Sequence, residues 1–302
     1  MNHITDEERK KYKGMGFVPN RDGKNTSVRV VTKNGVLSSE QMRVACEIAD
    51  KYGNGKIAIT SRMCLELPVI SYDNIQNVID ALEKVDLAPG GTGAKVRPVT
   101  ACKGTVCPHG NFDTQEVALE IHYKFYEGYR SVKLPHKFKI GVGGCPNNCI
   151  KPDINDLGIV GVYIPKFEMD KCVGCAECSV ESACPVKKFE KNVGIDSNVC
   201  TDCGKCVETC PFGVVPSGQK GFKIYLGGQW GKTMRRGNLM KRIVTSKEEL
   251  FELIEKVILL YKAEGIAGER FGNTIDRIGM EKAEEILQGN GLLEKKNEII
   301  NA

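Results

Sequence analysis

Twelve of the fourteen cysteines in this 302-residue chain fall into three tight groups. A thiolate is the side chain that binds soft metal centres. One group is Cys172-x-x-Cys175-x-x-Cys178 followed by Cys184-Pro185, and a second is Cys200-x-x-Cys203-x-x-Cys206 followed by Cys210-Pro211. The third joins Cys102-x4-Cys107 to a distant Cys145-x3-Cys149. Two residues between cysteines let a tight loop aim successive sulfurs at neighbouring corners of a small metal centre. A proline after the last cysteine cannot donate a backbone hydrogen bond and turns the chain away. Such runs hold iron–sulfur clusters or tetrahedral zinc, and two complete runs with trailing prolines favour clusters. The chemistry on offer is single-electron transfer. Cys46 and Cys64 stand apart in apolar surroundings and are expected to be small core residues.

The elements that must position these groups alternate between strand and helix. Ser27–Thr32 reads as a strand, and Ser38-x-x-Gln41 is a capping box before a helix with Met42, Ala45, Ile48 and Ala49 on one face. Lys56–Thr60 and Leu65–Ile70 read as strands, and Asp73 is a candidate cap for a helix carrying Ile75, Val78, Ile79 and Leu82. This is a ferredoxin-like α+β unit. Pro89–Gly93 breaks it as a linker. A strand at Val96–Ala101 then runs into Cys102, a helix is expected from about Asp113 to Tyr126 with Ala118, Ile121 and Phe125 inward, and strands follow at Lys137–Val142 and Ile159–Ile164. From Phe167 to Val215 the chain is cysteine-rich and short of apolar runs. Strand and helix patterning returns at Phe222–Leu226 and at Ser246–Ala263, where Ser246-x-x-Glu249 is another capping box. Glu281–Ala302 is charged and expected to be partly frayed. The division implied is 1–88, then 94–165 with 217–302, and a module at 166–216 inserted into the second part.

Hydrophobic residues make up 41% and charged residues 27% of the chain, with a formal net charge of +5. These are ordinary values for a globular protein. The cations are scattered, which argues against nucleic-acid binding. No run approaches the ~18 apolar residues of a membrane-spanning helix, and the amino terminus has no signal-peptide pattern. A cytoplasmic location is expected, where fourteen cysteines call for metals rather than disulfides.

The eight-cysteine stretch resembles a bacterial two-cluster ferredoxin, with five residues rather than three between Cys178 and Cys184. The resemblance implies that Cys172, Cys175, Cys178 and Cys210 hold one [4Fe–4S] cluster and that Cys200, Cys203, Cys206 and Cys184 hold another. The strings TACKGTVCPHG and GGCPNNCIKP resemble the sulfite and nitrite reductases that couple a [4Fe–4S] cluster to sirohaem. The first pair has four intervening residues here where that family usually has five. On that resemblance Cys102, Cys107, Cys145 and Cys149 hold a third cluster, and Cys149 is the ligand shared with the sirohaem iron. Lys137 and Lys139 in LPHKFK alternate, which puts both ammonium groups on one face. They match the family's Lys-x-Lys pair, Arg29 in SVRVV and Arg97 in KVRPVTAC match its substrate arginines, and Arg62 in ITSRMCLELPVI matches its arginine at the sirohaem rim. Singly, each of these cations is more often a solvated surface charge; their joint occurrence beside the cysteine pairs carries the case.

The resemblance covers nearly the whole chain and is strongest to sulfite reductases of the dissimilatory and anaerobic kinds, which carry an inserted ferredoxin. It implies an α+β fold: a ferredoxin-like half domain and a sirohaem-binding α/β domain carrying a two-cluster ferredoxin module. It also implies reduction of sulfite to sulfide by six electrons, with fixed cations offsetting the charge of the anion. No G-x-G-x-x-G context for flavin or nicotinamide is present, so an electron-donor protein is expected, either a flavin- or NADH-linked subunit or a ferredoxin. Having one copy of a repeat that longer relatives duplicate implies pairing with itself or with a homologous subunit. Three alternatives stay open: nitrite reduction to ammonia on the same scaffold, a non-catalytic electron-transfer subunit, and zinc in place of clusters.

Overall fold

The computed structural model describes residues 4–302. The first elements in chain order are α1 (Asp6–Gly14), β1 (Phe17–Pro19), β2 (Asn25–Val31), α2 (Ser39–Tyr52), β3 (Ala58–Ile59), β4 (Leu65–Ser71), α3 (Ile75–Glu83), β5 (Ala88–Pro89) and β6 (Thr100–Ala101). There follow α4 (Thr114–Ile121), β7 (Ile140–Gly143), β8 (Leu157–Lys166), α5 (Ser179–Ala183), β9 (Ser217–Leu226) and β10 (Asn238–Leu239). The chain ends in α6 (Lys247–Glu264), α7 (Phe271–Ile278), α8 (Met280–Gln288), α9 (Gly291–Glu294) and α10 (Lys296–Asn301). Two compact units result. The first takes the residues up to Ala101 with Ala118–Ile140 and Glu255–Ala302; the second takes Cys102–Val117 and Gly141–Ile254. Among the described residues no helix is long and apolar enough to cross a membrane.

In the first unit the strands run in the order β1-β2-β4-β3, all antiparallel, and β5 adds to β2 through Val30–Pro89 and Val31–Ala88. The apolar side of this sheet is closed by α2 and α3. Phe17, Val28, Val30, Leu65, Leu67 and Ile70 from the strands meet Ala45, Ile48, Ala49, Ile75, Val78 and Leu82 from the helices. The Ser38 box forms: its hydroxyl accepts from the Gln41 N–H while the Gln41 side chain accepts from the Ser38 N–H. Asp73 does not cap α3. The Ser71 hydroxyl caps a 3-10 turn over Tyr72–Asn74, and α3 begins after it without a side-chain cap. The Lys56–Thr60 strand shrinks to Ala58–Ile59, both exposed, and Ile57 before it packs partly buried against the core. The stretch read as a linker starts as β5, and Gly90 and Gly91 are buried.

The helix carrying Ala118, Ile121 and Phe125 is present with all three buried, and its last turn, His122–Glu127, is π-helical. The Val96–Ala101 expectation reduces to a parallel bridge between Val96 and Phe138 and the short β6. The carboxyl-terminal stretch is not frayed: α8, α9 and α10 fill it, with Ala283, Leu287 and Leu292 buried.

The second unit is organised by a long hairpin. All of β8 pairs with all of β9, from Leu157–Leu226 to Lys166–Ser217, and the strand order is β10-β9-β8-β7. The cysteine-rich stretch leaves from the end of β8 and returns at the start of β9, whose first residue faces the last of β8. An insertion at such a point costs the hairpin nothing, because its ends are already adjacent. Inside the stretch the α-helical content is the one-turn α5, and the buried apolar set is Val180, Phe189, Val214 and Val215. Phe167 stacks on Phe189 with ring centres 5.9 Å apart.

Candidate functional site

The second unit gathers Cys102, Cys107, Cys145 and Cys149. Cys102 follows β6, and its N–H donates to the Val142 carbonyl at 3.1 Å. The Thr114 hydroxyl and the Gln115 amide hold its carbonyl at 2.7 and 3.2 Å. Small residues let the loops close. A Cβ on Gly110 would stand 2.1 Å from the Gly104 carbonyl oxygen, and one on Gly104 would stand 2.5 Å from the Thr114 side chain. The Gly144 N–H donates to the Cys102 sulfur at 3.2 Å. Cys145 and Cys149 bracket a turn closed by the Asn148 N–H on the Cys145 carbonyl at 3.2 Å, with Asn148 in left-handed backbone at φ 54°. Asn148 Oδ1 is buried without a partner.

Burial pushes the Cys145 thiol up, and like charge from Cys102, Cys149 and Cys107 adds to the shift. Four thiolates sharing one neighbourhood repel one another, and bound iron relieves that repulsion. Of the four, Cys149 is exposed while the others are half-buried. An exposed thiolate leaves its sulfur accessible to a second metal group. An all-sulfur donor set, a backbone N–H aimed at sulfur and one accessible thiolate fit an iron–sulfur centre joined to a haem.

In the cysteine-rich stretch an apolar cavity is lined by Cys184, Cys200, Cys203 and Cys206, together with Pro165, Phe167, Val180, Pro185, Val186, Phe189 and Ile195. Burial raises the Cys206 thiol to about 11, with like charge from Cys200, Cys203 and Cys184 contributing. These four are the residues that the ferredoxin resemblance groups together. Cys172, Cys178, Cys206 and Cys210 pack against the small core of Val180, Phe189, Val214 and Val215. Backbone N–H groups again point at sulfur: Asn192 to Cys172 at 3.3 Å and Asp202 to Cys200 at 3.4 Å. The stretch is stitched to β8 by the Tyr163 N–H on the Asp202 carbonyl at 2.8 Å, and Lys223 on β9 pairs with Asp202 at 2.7 Å. Among the described residues no three His, Cys, Asp or Glu side chains stand close enough to enclose a single ion. None of the fourteen cysteines is in a disulfide; Cys64 is buried as expected, whereas Cys46 is exposed on α2 rather than part of the core.

The predicted cations lie in the first unit. Arg29 on β2 pairs with Glu66, directly opposite on β4, at 2.9 Å and reaches the Gly91 carbonyl at 3.5 Å. Arg97 donates to the same Gly91 carbonyl and to that of Gly93 at 3.1 Å. One carbonyl therefore brings Arg29 and Arg97 together. Gly91 has φ +69°, and a Cβ there would stand 3.3 Å from the Arg29 side chain. The turn is held from behind, where the Gly91 N–H donates to the Tyr126 hydroxyl at 3.1 Å and Arg130 donates to the Pro89 carbonyl at 3.0 Å. Arg62 is committed to backbone, donating to the carbonyls of Pro98 and Ile140. Lys137 and Lys139 precede β7 and flank Phe138. Phe138 is fully buried against Tyr261 and Phe271, with ring centres at 5.7 and 5.3 Å, while both lysines are half-buried. The strand expected from Lys137 begins only at Ile140, so the two lysines flank the buried ring from the segment that leads into β7.

Sequence reasoning missed Glu66, the Gly91 carbonyl, Tyr126 and Asn148. Glu66 could be found only from the register of β2 on β4. The carbonyl of a glycine carries no sequence signal beyond the glycine itself.

Comparisons with known proteins place the chain in a family. Residues 92–292 match the nitrite and sulphite reductase 4Fe-4S domain, and residues 18–85 match the nitrite/sulfite reductase ferredoxin-like half domain. The chain is 34% identical over 272 residues to the Coenzyme F420-dependent sulfite reductase of Methanocaldococcus jannaschii, covering 86% of this chain and 42% of that one. It is 34% identical over 167 residues to one of the polypeptides of the anaerobic sulfite reductase of Salmonella typhimurium, covering 50% of this chain and 47% of that one. The chain thus spans less than half the length of both relatives. A crystal structure of dissimilatory sulfite reductase I matches in fold with a TM-score of 0.69 at 21% identity, over 87% of this chain and 69% of that one.

Proposed function

We propose a function from one premise: the chain belongs to the nitrite and sulphite reductase family. It reduces sulfite to sulfide with six electrons delivered singly through iron–sulfur centres. Cys102, Cys107, Cys145 and Cys149 hold a [4Fe–4S] cluster, with Cys149 also the ligand shared with sirohaem. Cys172, Cys175, Cys178 and Cys210 hold a second cluster, and Cys184, Cys200, Cys203 and Cys206 a third. When bound, these groups would relay the electrons and supply the iron chemistry that reduces the anion.

The residues of this chain do the rest. Arg29, Arg97, Lys137 and Lys139 bind the anion's oxygens and offset its charge, and the lysines donate protons as oxygen leaves. Arg29 exchanges its carboxylate partner Glu66 for the substrate. Arg62 contributes its positive charge at the anionic rim of sirohaem while its guanidinium stays anchored on backbone carbonyls. An electron-donor protein or domain outside this chain supplies the electrons, and the chain works paired with a copy of itself or a homologous subunit, in the cytoplasm.

The observation that supports this reading best is the convergence of four thiolates of which Cys149 alone is exposed. The test is an anaerobic visible spectrum with iron and acid-labile sulfide counts, followed by turnover of sulfite and nitrite with a reduced dye. A sirohaem band, iron for three clusters and sulfide release support it. Clusters without sirohaem after reconstitution leave an electron carrier, and faster turnover of nitrite than of sulfite reassigns the substrate.

A further inference from the structure

The Cys145–Cys149 turn rests on a buried carboxylate. Asp153 is 5% exposed and lies in a 3-10 turn just before β8. Its Oδ1 accepts from Nδ2 of Asn148, the neighbour of Cys149, at 2.8 Å. Its Oδ2 pairs with Nε of Arg236 at 3.3 Å, and its main-chain carbonyl accepts the Gly237 N–H at 2.7 Å. One residue therefore ties the cysteine turn to the arm 229–237. The arm is closed by reciprocal bonds between the backbones of Gln229 and Arg235, both 3.0 Å, and by the Gln229 amide on the Thr233 hydroxyl at 2.7 Å. At its root a Cβ on Gly228 would stand 2.4 Å from the carbonyl oxygens of Asp153 and Asn155, so the arm presses on the same turn. Beyond the root it displays Trp230 and Met234, 51% and 67% exposed, with Lys232, Arg235 and Arg236 and no acidic residue.

The partition of Asp153 decides what it does. An exposed ion pair contributes little to stability, and the Arg236 side chain is 82% exposed. Burying a carboxylate is costly unless its oxygens are satisfied. Each of the two oxygens here has one side-chain partner, one on the cysteine turn and one on the arm. Moving either element strips an oxygen of its bond, so the two elements move together or not at all.

We propose that Asp153 is a positioning residue that makes the Cys149 turn and the 229–237 arm one mechanical unit, so that loading of the four-cysteine centre sets the order of the arm. The proposal rests on the reading of Cys149 as a cluster ligand. The coupling is reciprocal: holding the arm fixes the turn, and loosening the arm disturbs the centre.

The test uses the full iron-loaded chain, Asp153→Asn and Arg236→Gln, with two readouts. The first is trypsin cleavage after Lys232 and Arg235, sites that both variants keep. The second is the electron paramagnetic resonance signature and midpoint potential of the four-cysteine centre, with the eight-cysteine module as internal control. The arm of the loaded wild type is expected to resist cleavage, and iron removal to speed it by about tenfold. Asp153→Asn is expected to speed cleavage in the loaded protein and to shift the signal and potential of the four-cysteine centre, leaving the module's signals in place. Arg236→Gln, a surface change that keeps the test usable if Asp153→Asn fails to fold, is expected to shift both readouts the same way by less. A loosened arm with an unchanged four-cysteine centre would overturn the proposal, as would cleavage indifferent to iron. Iron for the module alone in the wild type is a different result, and it would sink the reading of Cys149 as a ligand.

Discussion

The ferredoxin-like sheet of the first unit and the cysteine-rich stretch of the second are comparable in purpose and opposite in construction. The sheet buries thirteen apolar residues between strands and two helices. The cysteine-rich stretch buries four, and cysteines take up the rest of its interior. A segment of that size with so small a core cannot offset its conformational entropy by apolar burial. On the proposed reading, ligand bonds to bound clusters supply the difference, as in other small metal-dependent modules. One part of the chain thus specifies its fold by hydrophobic pattern, and on the proposed reading the other does so by donor spacing.

The largest effect should come from iron removal. Chelation under reducing conditions is expected to unfold the 167–215 stretch while β1–β5, α2 and α3 keep their structure. Hydrogen exchange resolved by segment would show it: fast exchange in the stretch and retained protection at Val28, Leu67 and Val78. Protection of the stretch without iron would mean that it folds by burial as the sheet does.

Core truncation reverses the experiment. Leu67 is fully buried, so Leu67→Ala should cost about 2–5 kcal/mol with iron content unchanged per folded molecule. Cys184→Ala should strip iron from the module and leave the sheet's unfolding midpoint in place. Denaturant titration with iron analysis on both variants separates the two modes of stabilisation.

The same contrast explains what was legible in the sequence. The Ser38–Gln41 box, the strands at β2 and β4 and the buried Ala45, Ile48 and Ala49 of α2 follow from local pattern, whereas Met42, read on the same face, is exposed. Asp73 misled because Ser71, two residues earlier, captures the Asp73 N–H and starts a 3-10 turn before the helix. The fraying expected at Glu281–Ala302 failed because sparse apolar residues, Ala283 and Leu287 one turn apart on α8 and Leu292 on α9, are buried and dock it. The two C-x-x-C-x-x-C runs are visible in the spacing, whereas the joining of Cys102 and Cys107 to Cys145 and Cys149 rests on the family resemblance. The partners of the cations were not: Arg29 meets Glu66 through strand register, and Arg29 meets Arg97 through the carbonyl of Gly91, which any residue would possess.

That ion pair gives a smaller and more specific effect. Arg29 is held by Glu66 at 2.9 Å with both side chains partly exposed, 24% and 30%. Exposed pairs contribute about 0.2–1 kcal/mol. Glu66→Gln should therefore free Arg29 for an anion and lower the KM for sulfite by about two- to fivefold, without changing iron content or spectrum. A change in the spectrum would mean that the sheet shapes the metal centres as well as supplying charge.

The smallest effect is a pH slope confined to the first unit. His122 is 2% exposed in the π-helical turn, and burial holds its pKa below the ordinary histidine range, although Glu127 at 3.2 Å works in the opposite direction. Its folded pKa therefore lies below its unfolded value. As pH falls beneath about 6.5 the unfolded chain takes up a proton that the folded chain resists, so stability is lost over that window, down to the folded pKa. One proton sets a ceiling of about 1.4 kcal/mol per pH unit. His122→Gln should flatten that slope in denaturant titrations between pH 7 and about 5, and the loss of iron at acid pH should follow the same course in variant and wild type. If the two courses separated, the histidine would be acting on the metal centres, and the division between a part built by burial and a part built by ligands would not hold at this turn.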